Sequence, residues 1–223
     1  MALRPARRLY QHRGHKLKTA PAVEPVTADE FRAHIIEDDT SMPDASANGW
    51  IEVARQLMED TYSIAFITQV WELTLDNWPQ EREPWWDGVR QAAISELQTG
   101  PATLEIPRFP LASVDTITVY GTDGTGSTVT IADVFDVDAY STPGRLALKI
   151  GATWPVALRH SNAILVEYTA GYGDAASDVP APLRLAVKQV AAFMYNHRGD
   201  GCDPADALAA ASGIMGRYDV RRL

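Results

Sequence analysis

Ile67-Thr68-Gln69-Val70-Trp71-Glu72-Leu73-Thr74-Leu75 is the stretch on which the reading of the fold turns. Trp71, Leu73 and Leu75 alternate with Val70, Glu72 and Thr74, the period of two expected of a half-buried strand. On its N-terminal side the period is helical. Trp50, Val53, Ala54, Leu57, Met58 and Thr61 recur on one helix face, which predicts a helix over 49–62. The stretch 39–48, with Pro43, Asn48 and small residues, reads as a loop. Further out, Thr27-Ala28-Asp29-Glu30 forms a capping box, with Val26 and Phe31 placed as a hydrophobic staple. A first helix therefore runs over 27–38 with Phe31 and Ile35 facing inward.

On the C-terminal side the period of two persists. Residues 78–86 read as a loop with aromatic plugs, and Asp87 caps a short helix through Leu97. Strands follow at Thr103–Ile106, Ser113–Tyr120, Ser127–Ile131, Phe135–Val137, Leu146–Leu148 and Ile164–Tyr168. Turn chemistry separates them at Thr122-Asp123-Gly124, Thr142-Pro143-Gly144 and Gly151. Helical spacing returns after Pro180: Leu183, Ala186, Val187, Val190, Phe193, Met194 and His197 define a stripe that Gly199-Asp200-Gly201 ends. The expectation is an α+β fold, a small helical bundle with a large, mainly antiparallel β insertion and extended N- and C-terminal arms. The divisions are a basic arm over 1–24, a discontinuous helical domain over 25–65 and 179–223, and a β-rich insertion over 66–178.

Charge is unevenly spread. The chain of 223 residues has a formal net charge of −9, yet residues 1–18 hold Arg4, Arg7, Arg8, Arg13, Lys16 and Lys18 and no acid. Setting those six cations aside leaves −15 on residues 19–223, a body that repels phosphate and excludes general DNA binding as the role. The basic head reads either as a solvated arm or as a contact for phosphate or an acidic protein partner, ordering on contact. The single Cys202 excludes an internal disulfide and fits a reducing compartment. No apolar run approaches the roughly 18 residues of a membrane span, and no signal-peptide core follows Leu9-Tyr10.

Motifs for catalysis are missing. Gly121-Thr122-Asp123-Gly124-Thr125-Gly126-Ser127 joins two strands and lacks a following lysine, so it reads as a hairpin turn and not a phosphate loop. Asp200, Asp203 and Asp206 have the wrong spacing for a calcium loop. None of His12, His15, His34, His160 and His197 lies in a metalloprotease or nucleophile-elbow context; His197 reads as a core or interface residue. No catalytic, cofactor-binding or metal-binding residue is named. Trp78 and Trp154 read as plugs of the β core, whereas the Trp85-Trp86 pair reads equally as an intersubunit contact.

Several stretches together resemble the head–tail connector (adaptor) proteins of tailed phages. They are Pro25-Val26-Thr27, Thr68-Gln69-Val70-Trp71-Glu72-Leu73, Ile106-Pro107-Arg108-Phe109-Pro110-Leu111, Pro143-Gly144-Arg145-Leu146, Gly151-Ala152-Thr153-Trp154-Pro155, Val166-Glu167-Tyr168-Thr169-Ala170-Gly171-Tyr172-Gly173 and Val179-Pro180-Ala181-Pro182-Leu183-Arg184. The Pro84-Trp85-Trp86-Asp87-Gly88-Val89-Arg90 stretch is similar to the branch in some phages and gene transfer agents. The resemblance implies a non-enzymatic subunit of a ring, usually a dodecamer, in the neck of a phage-like particle assembled in the bacterial cytoplasm. Its implied partners are the portal above, a stopper or tail-completion protein below, and copies of itself; DNA passes through without specific binding. It further implies a portal contact over Ile214, Met215, Arg217, Tyr218, Arg221, Arg222 and Leu223. The basic arm is longer here than in many relatives. Two readings of other classes stand beside it: a β-rich module binding carbohydrate or a cell surface, and a small hydrolase with an unrecognised site.

Overall fold

The computed structural model describes residues 13–36, 41–79, 103–157, 159–199 and 203–218. Its strands are β1 (Arg13–Thr19), β2 (Gln69–Leu75), β3 (Thr103–Glu105), β4 (Leu111–Tyr120), β5 (Gly126–Thr128), β6 (Phe135–Asp138), β7 (Arg145–Leu148) and β8 (Ile164–Ala170). Its helices are α1 (Ala28–Ile35), α2 (Asp44–Tyr62), α3 (Ile131–Val134), α4 (Ala181–Asn196), α5 (Pro204–Ala209) and α6 (Ser212–Met215). This is the α+β architecture expected.

The decisive stretch forms β2 with strictly alternating burial, as its period of two requires. A five-stranded antiparallel sheet runs in the order β1-β2-β8-β4-β5, and a three-stranded one runs β3-β7-β6. Both sheets turn apolar side chains into one buried cluster containing Leu73, Leu75, Val166, Tyr168, Leu104 and Leu146. Trp78 and Trp154 stack within it at 4.7 Å, and Trp78 Nε1 donates to Pro155 O at 2.7 Å, so both tryptophans are core plugs. The opposite face of the larger sheet is polar. There Thr169 Oγ1 and Ser113 Oγ both donate to Asp115, at 2.7 and 2.6 Å.

A second cluster is helical. Leu183, Ala186, Val187 and Val190 of α4 are fully buried against α1, α2 and the strand approach Ile64, Phe66 and Ile67. The capping box forms as expected: Glu30 N donates to Thr27 Oγ1 at 3.2 Å and Thr27 N donates to Glu30 Oε2 at 3.3 Å. Val26 and Phe31 are both buried beside it.

Three sequence expectations need correction. The helix expected over 49–62 begins at Asp44, with Pro43 as its cap, because Ala47 is buried one turn ahead of Ile51. Its inward face is also rotated: Val53 is 46% exposed, while Ile51, Arg55 and Glu59 are buried. The strand expected at Ser127–Ile131 stops at Thr128. The chain then turns into α3, so that Val129, Ile131 and Val134 lean on the sheet cluster.

The third correction concerns the ends. Arg13–Thr19, expected to be part of an arm without regular structure, is the edge strand β1, paired in register with β2 from Arg13↔Leu75 to Leu17↔Trp71. At the other end, within the expected helical domain over 179–223, Pro204–Ala209 and Ser212–Met215 are helices seated on α4 and not part of an extended arm. Ala207, Ala211 and Met215 are buried at intervals of four residues.

Candidate interaction surfaces

Of the expected N-terminal contacts, Arg4, Arg7 and Arg8 lie outside the described residues. Arg13, Lys16 and Lys18 fall on β1. Lys18 is engaged within its own sheet, hydrogen-bonded to Glu167 and 3.9 Å from Glu72. The bond from Lys18 holds the Glu167 carboxyl below the usual carboxylate range and raises the Lys18 ammonium. Thr116 Oγ1 donates to the same carboxylate at 2.9 Å.

The inward side of β1 is what seats it. His15 stacks on Trp71 with ring centroids 4.4 Å apart, and its Nε2 is 2.6 Å from the Tyr168 hydroxyl. The residue as a whole is exposed at the sheet edge, but desolvation of the ring face held against Trp71 and Tyr168, helped by the nearby Arg108 guanidinium and opposed by Asp60, lowers the His15 pKa to about 4. His15 is therefore a neutral packing residue. His15 and Leu17 alternate with Gly14, Lys16 and Lys18 at a period of two, and that spacing, on a strand exposed at the sheet edge, is the signal that marks it. The positive charge masks it, since Lys and Gly are poor strand formers.

Among the expected portal contacts, Arg221, Arg222 and Leu223 lie outside the described residues, as do Trp85 and Trp86. Met215 is fully buried, and Ile214 and Tyr218 pack against the helical cluster. The Tyr218 amide donates to Met215 O at 2.9 Å, which continues the last turn. Burial, with Tyr218 close by, pushes the Tyr172 hydroxyl up to about 12. In this arrangement Met215 is core and is not available to a partner. Arg217 is the exposed member of the set.

The two clusters meet at a buried polar clasp that sequence reading missed. Arg55 donates to Glu24 at 2.8 and 3.1 Å and to Glu59 at 2.8 Å. Glu59 also accepts from Phe66 N at 3.1 Å and Gln69 Nε2 at 2.5 Å. Burial wins over these partners and raises the Glu59 pKa. Arg108, from the Ile-Pro-Arg-Phe-Pro stretch, caps the C-terminal end of α2. It donates to the carbonyls of Glu59 and Ile64, reaches Asp60 at 2.6 Å, and lies 4.4 Å over the Trp71 ring. The i, i+4 spacing of Arg55 and Glu59 on the inward face of an apolar helix is the legible trace of this clasp.

A groove of about 690 Å³ opens beside it, where the chain enters α1 and runs past the start of α2. Val23, Val26 and Ala175 supply apolar lining, and Glu24, Asp29, Asp44, Glu52 and Asp174 supply carboxylates. His197 lies at the far end of α4, its Nδ1 2.8 Å from Phe193 O and its ring stacked on Phe193 at 4.1 Å, so it caps the helix. Among the described residues no group of His, Cys, Asp and Glu is placed to hold a metal ion. No described helix is long and apolar enough to cross a membrane.

These features define a packed α+β fold with two core clusters. No family model and no curated protein sequence matches the chain. Solved structures do. A chain in the neck of an empty gene transfer agent (GTA) particle, computed with C6 symmetry, is similar over 92% of this chain and 94% of that chain, with TM-score 0.71 and 21% identity. A chain in the virion of a native GTA particle covers 89% of this chain and 93% of its own length at TM-score 0.67 and 20% identity. A third, in the neck of a native GTA particle computed with C12 symmetry, covers 91% and 94% at TM-score 0.66 and 21% identity. The chain has the fold of these particle chains over nearly its whole length.

Proposed function

We propose that this protein is a head–tail connector subunit, a non-enzymatic component of the neck ring of a gene transfer agent or related phage-like particle. The carrying observation is the fold shared with a GTA neck chain over 92% of this chain at TM-score 0.71. The ordered series of connector-like stretches from Pro25 to Arg184 supports the same reading.

In this reading the ring holds twelve copies, docks beneath the portal and receives a stopper or tail-completion protein. DNA crosses its lumen without being gripped. The net −15 of residues 19–223 supports passage, because a repulsive wall lets a duplex slide. Arg217 and the residues beyond Tyr218, including Arg221, Arg222 and Leu223, are the proposed portal contact. Arginines with a terminal apolar residue suit a carboxylate-lined groove. Cells lacking the gene should accumulate DNA-filled heads without attached tails, seen by negative-stain microscopy and reversed by complementation. Normal tailed particles from the deletion strain overturn the reading.

A further inference from the structure

We propose that the groove between the entry to α1 and the start of α2 receives residues 1–12 of a neighbouring copy, so that each subunit clasps the next by its N-terminal segment. This rests on the ring reading above and names the contact between adjacent copies.

The argument begins with charge. Five carboxylates line the groove, Glu24, Asp29, Asp44, Glu52 and Asp174, and among the described residues no basic side chain does. Two arginines reach them from within the fold. Arg32 pairs with Asp29 at 2.5 Å and Asp44 at 2.6 Å, and Arg55 pairs with Glu24 at 2.8 Å. Arg55 is shared with Glu59 of the clasp, so the groove carboxylates outnumber the described guanidinium groups that reach them. Glu52 and Asp174 have no cationic partner among the described residues. Residues 1–12 hold three arginines, Arg4, Arg7 and Arg8, and no acid.

Apolar chemistry matches as well. Val23 stands 44% exposed at the groove, with Ala175 also exposed there. In the N-terminal segment Leu3 and Leu9 flank the arginines. A peptide that alternates apolar anchors with guanidinium groups suits a groove with an apolar lining and carboxylates around it.

Direction decides between a subunit's own groove and a neighbour's. β1 runs antiparallel to β2, and Arg13 pairs with Leu75, at the end of β2 remote from Gln69. Gln69 bonds to Glu59 of α2, on the helical side where the groove lies. A strand of this length covers roughly 20 Å. Arg13, the first described residue, thus lies about that far from its own groove, at the end of β1 remote from it. Twelve extended residues reach about 40 Å, ample for an adjacent copy. Return to the same subunit's groove would use half of that reach merely to retrace β1.

The test is a mixing experiment in a Cys202→Ser background. One chain carries Ala6→Cys, and a second, distinguishable by a size tag, carries Ala175→Cys. Both are co-produced in the particle-forming cell, and particles are mildly oxidised. The expected result is a disulfide-linked heterodimer of the two chains, lost when Glu52→Arg and Asp174→Arg are added. It should return when Arg7→Glu and Arg8→Glu are introduced into the partner chain. Particles with a normal neck ring and no cross-link overturn the clasp and leave the ring reading standing. In a parallel sample a single chain carries both Ala6→Cys and Ala175→Cys; a cross-link formed only within that chain, migrating as a monomer, also overturns the clasp by returning the segment to its own groove. A neck without this chain overturns the ring reading itself.

Discussion

At the scale of single residues, stability concentrates where the two clusters join. Glu59 accepts bonds from Arg55, the Phe66 amide and Gln69, and it is 4% exposed. Glu59→Ala leaves Arg55 with Glu24 alone and strands two buried donors, the Phe66 amide and Gln69 Nε2, and should destabilise the protein by about 2–5 kcal/mol, read from urea unfolding. A loss below about 1 kcal/mol would show that the clasp is solvated. Gly171 meets a different constraint. Its φ is +142°, and a Cβ there would lie 2.6 Å from the backbone of Ile67 and Thr68. Gly171→Ala should lower stability by about 2–4 kcal/mol, because neither backbone nor dihedral can yield cheaply. Thermal melting of the variant beside wild type checks it.

At the scale of elements, the edge strand β1 is coupled to pH through His15. A detached strand carries an ordinary histidine that protonates near 6.5, whereas the docked ring stays neutral until about 4. Between those values the detached form binds the extra proton, so docking weakens as pH falls and is unaffected above about 6.5. The ratio of detached to docked strand should rise by up to tenfold per pH unit across that window. NMR titration of His15, with the β1 amide resonances, reads both; an ordinary titration with β1 still paired would contradict the stacking. At the other end, deleting residues 214–223 removes Met215 from the core and should cost about 2–5 kcal/mol. Deleting 219–223 should leave the melting temperature unchanged and, if these residues hold the portal, abolish co-sedimentation with portal rings.

At the scale of the whole molecule, the sequence was legible wherever one local period governed burial. β2 and β8 alternate strictly, and α4 buries Leu183, Ala186, Val187 and Val190 as its stripe requires. Legibility failed where tertiary partners overrode local chemistry. The inward face of α2 carries Arg55 and Glu59, which a search for apolar residues rejects, so the face read one position off. β1 is held by a histidine stacked on a tryptophan distant in sequence, and its lysines look like an arm. Ala207 and Ala211 are too small to announce a buried face until α4 lies beneath them. The order of motifs pointed to the fold that the GTA particle chains share. The surfaces were not, because a groove such as that of Val23 and Asp174 joins residues about 150 positions apart. Trp85, Trp86, Arg221 and Arg222 lie outside the described residues.

Cryo-electron microscopy of particles in which this chain carries a compact C-terminal label tests the central claim most directly. The account predicts one label per subunit in a closed ring, twelve to a particle, between the head and the tail. Particles complete at the neck and devoid of label there, with the protein recovered elsewhere, would contradict it.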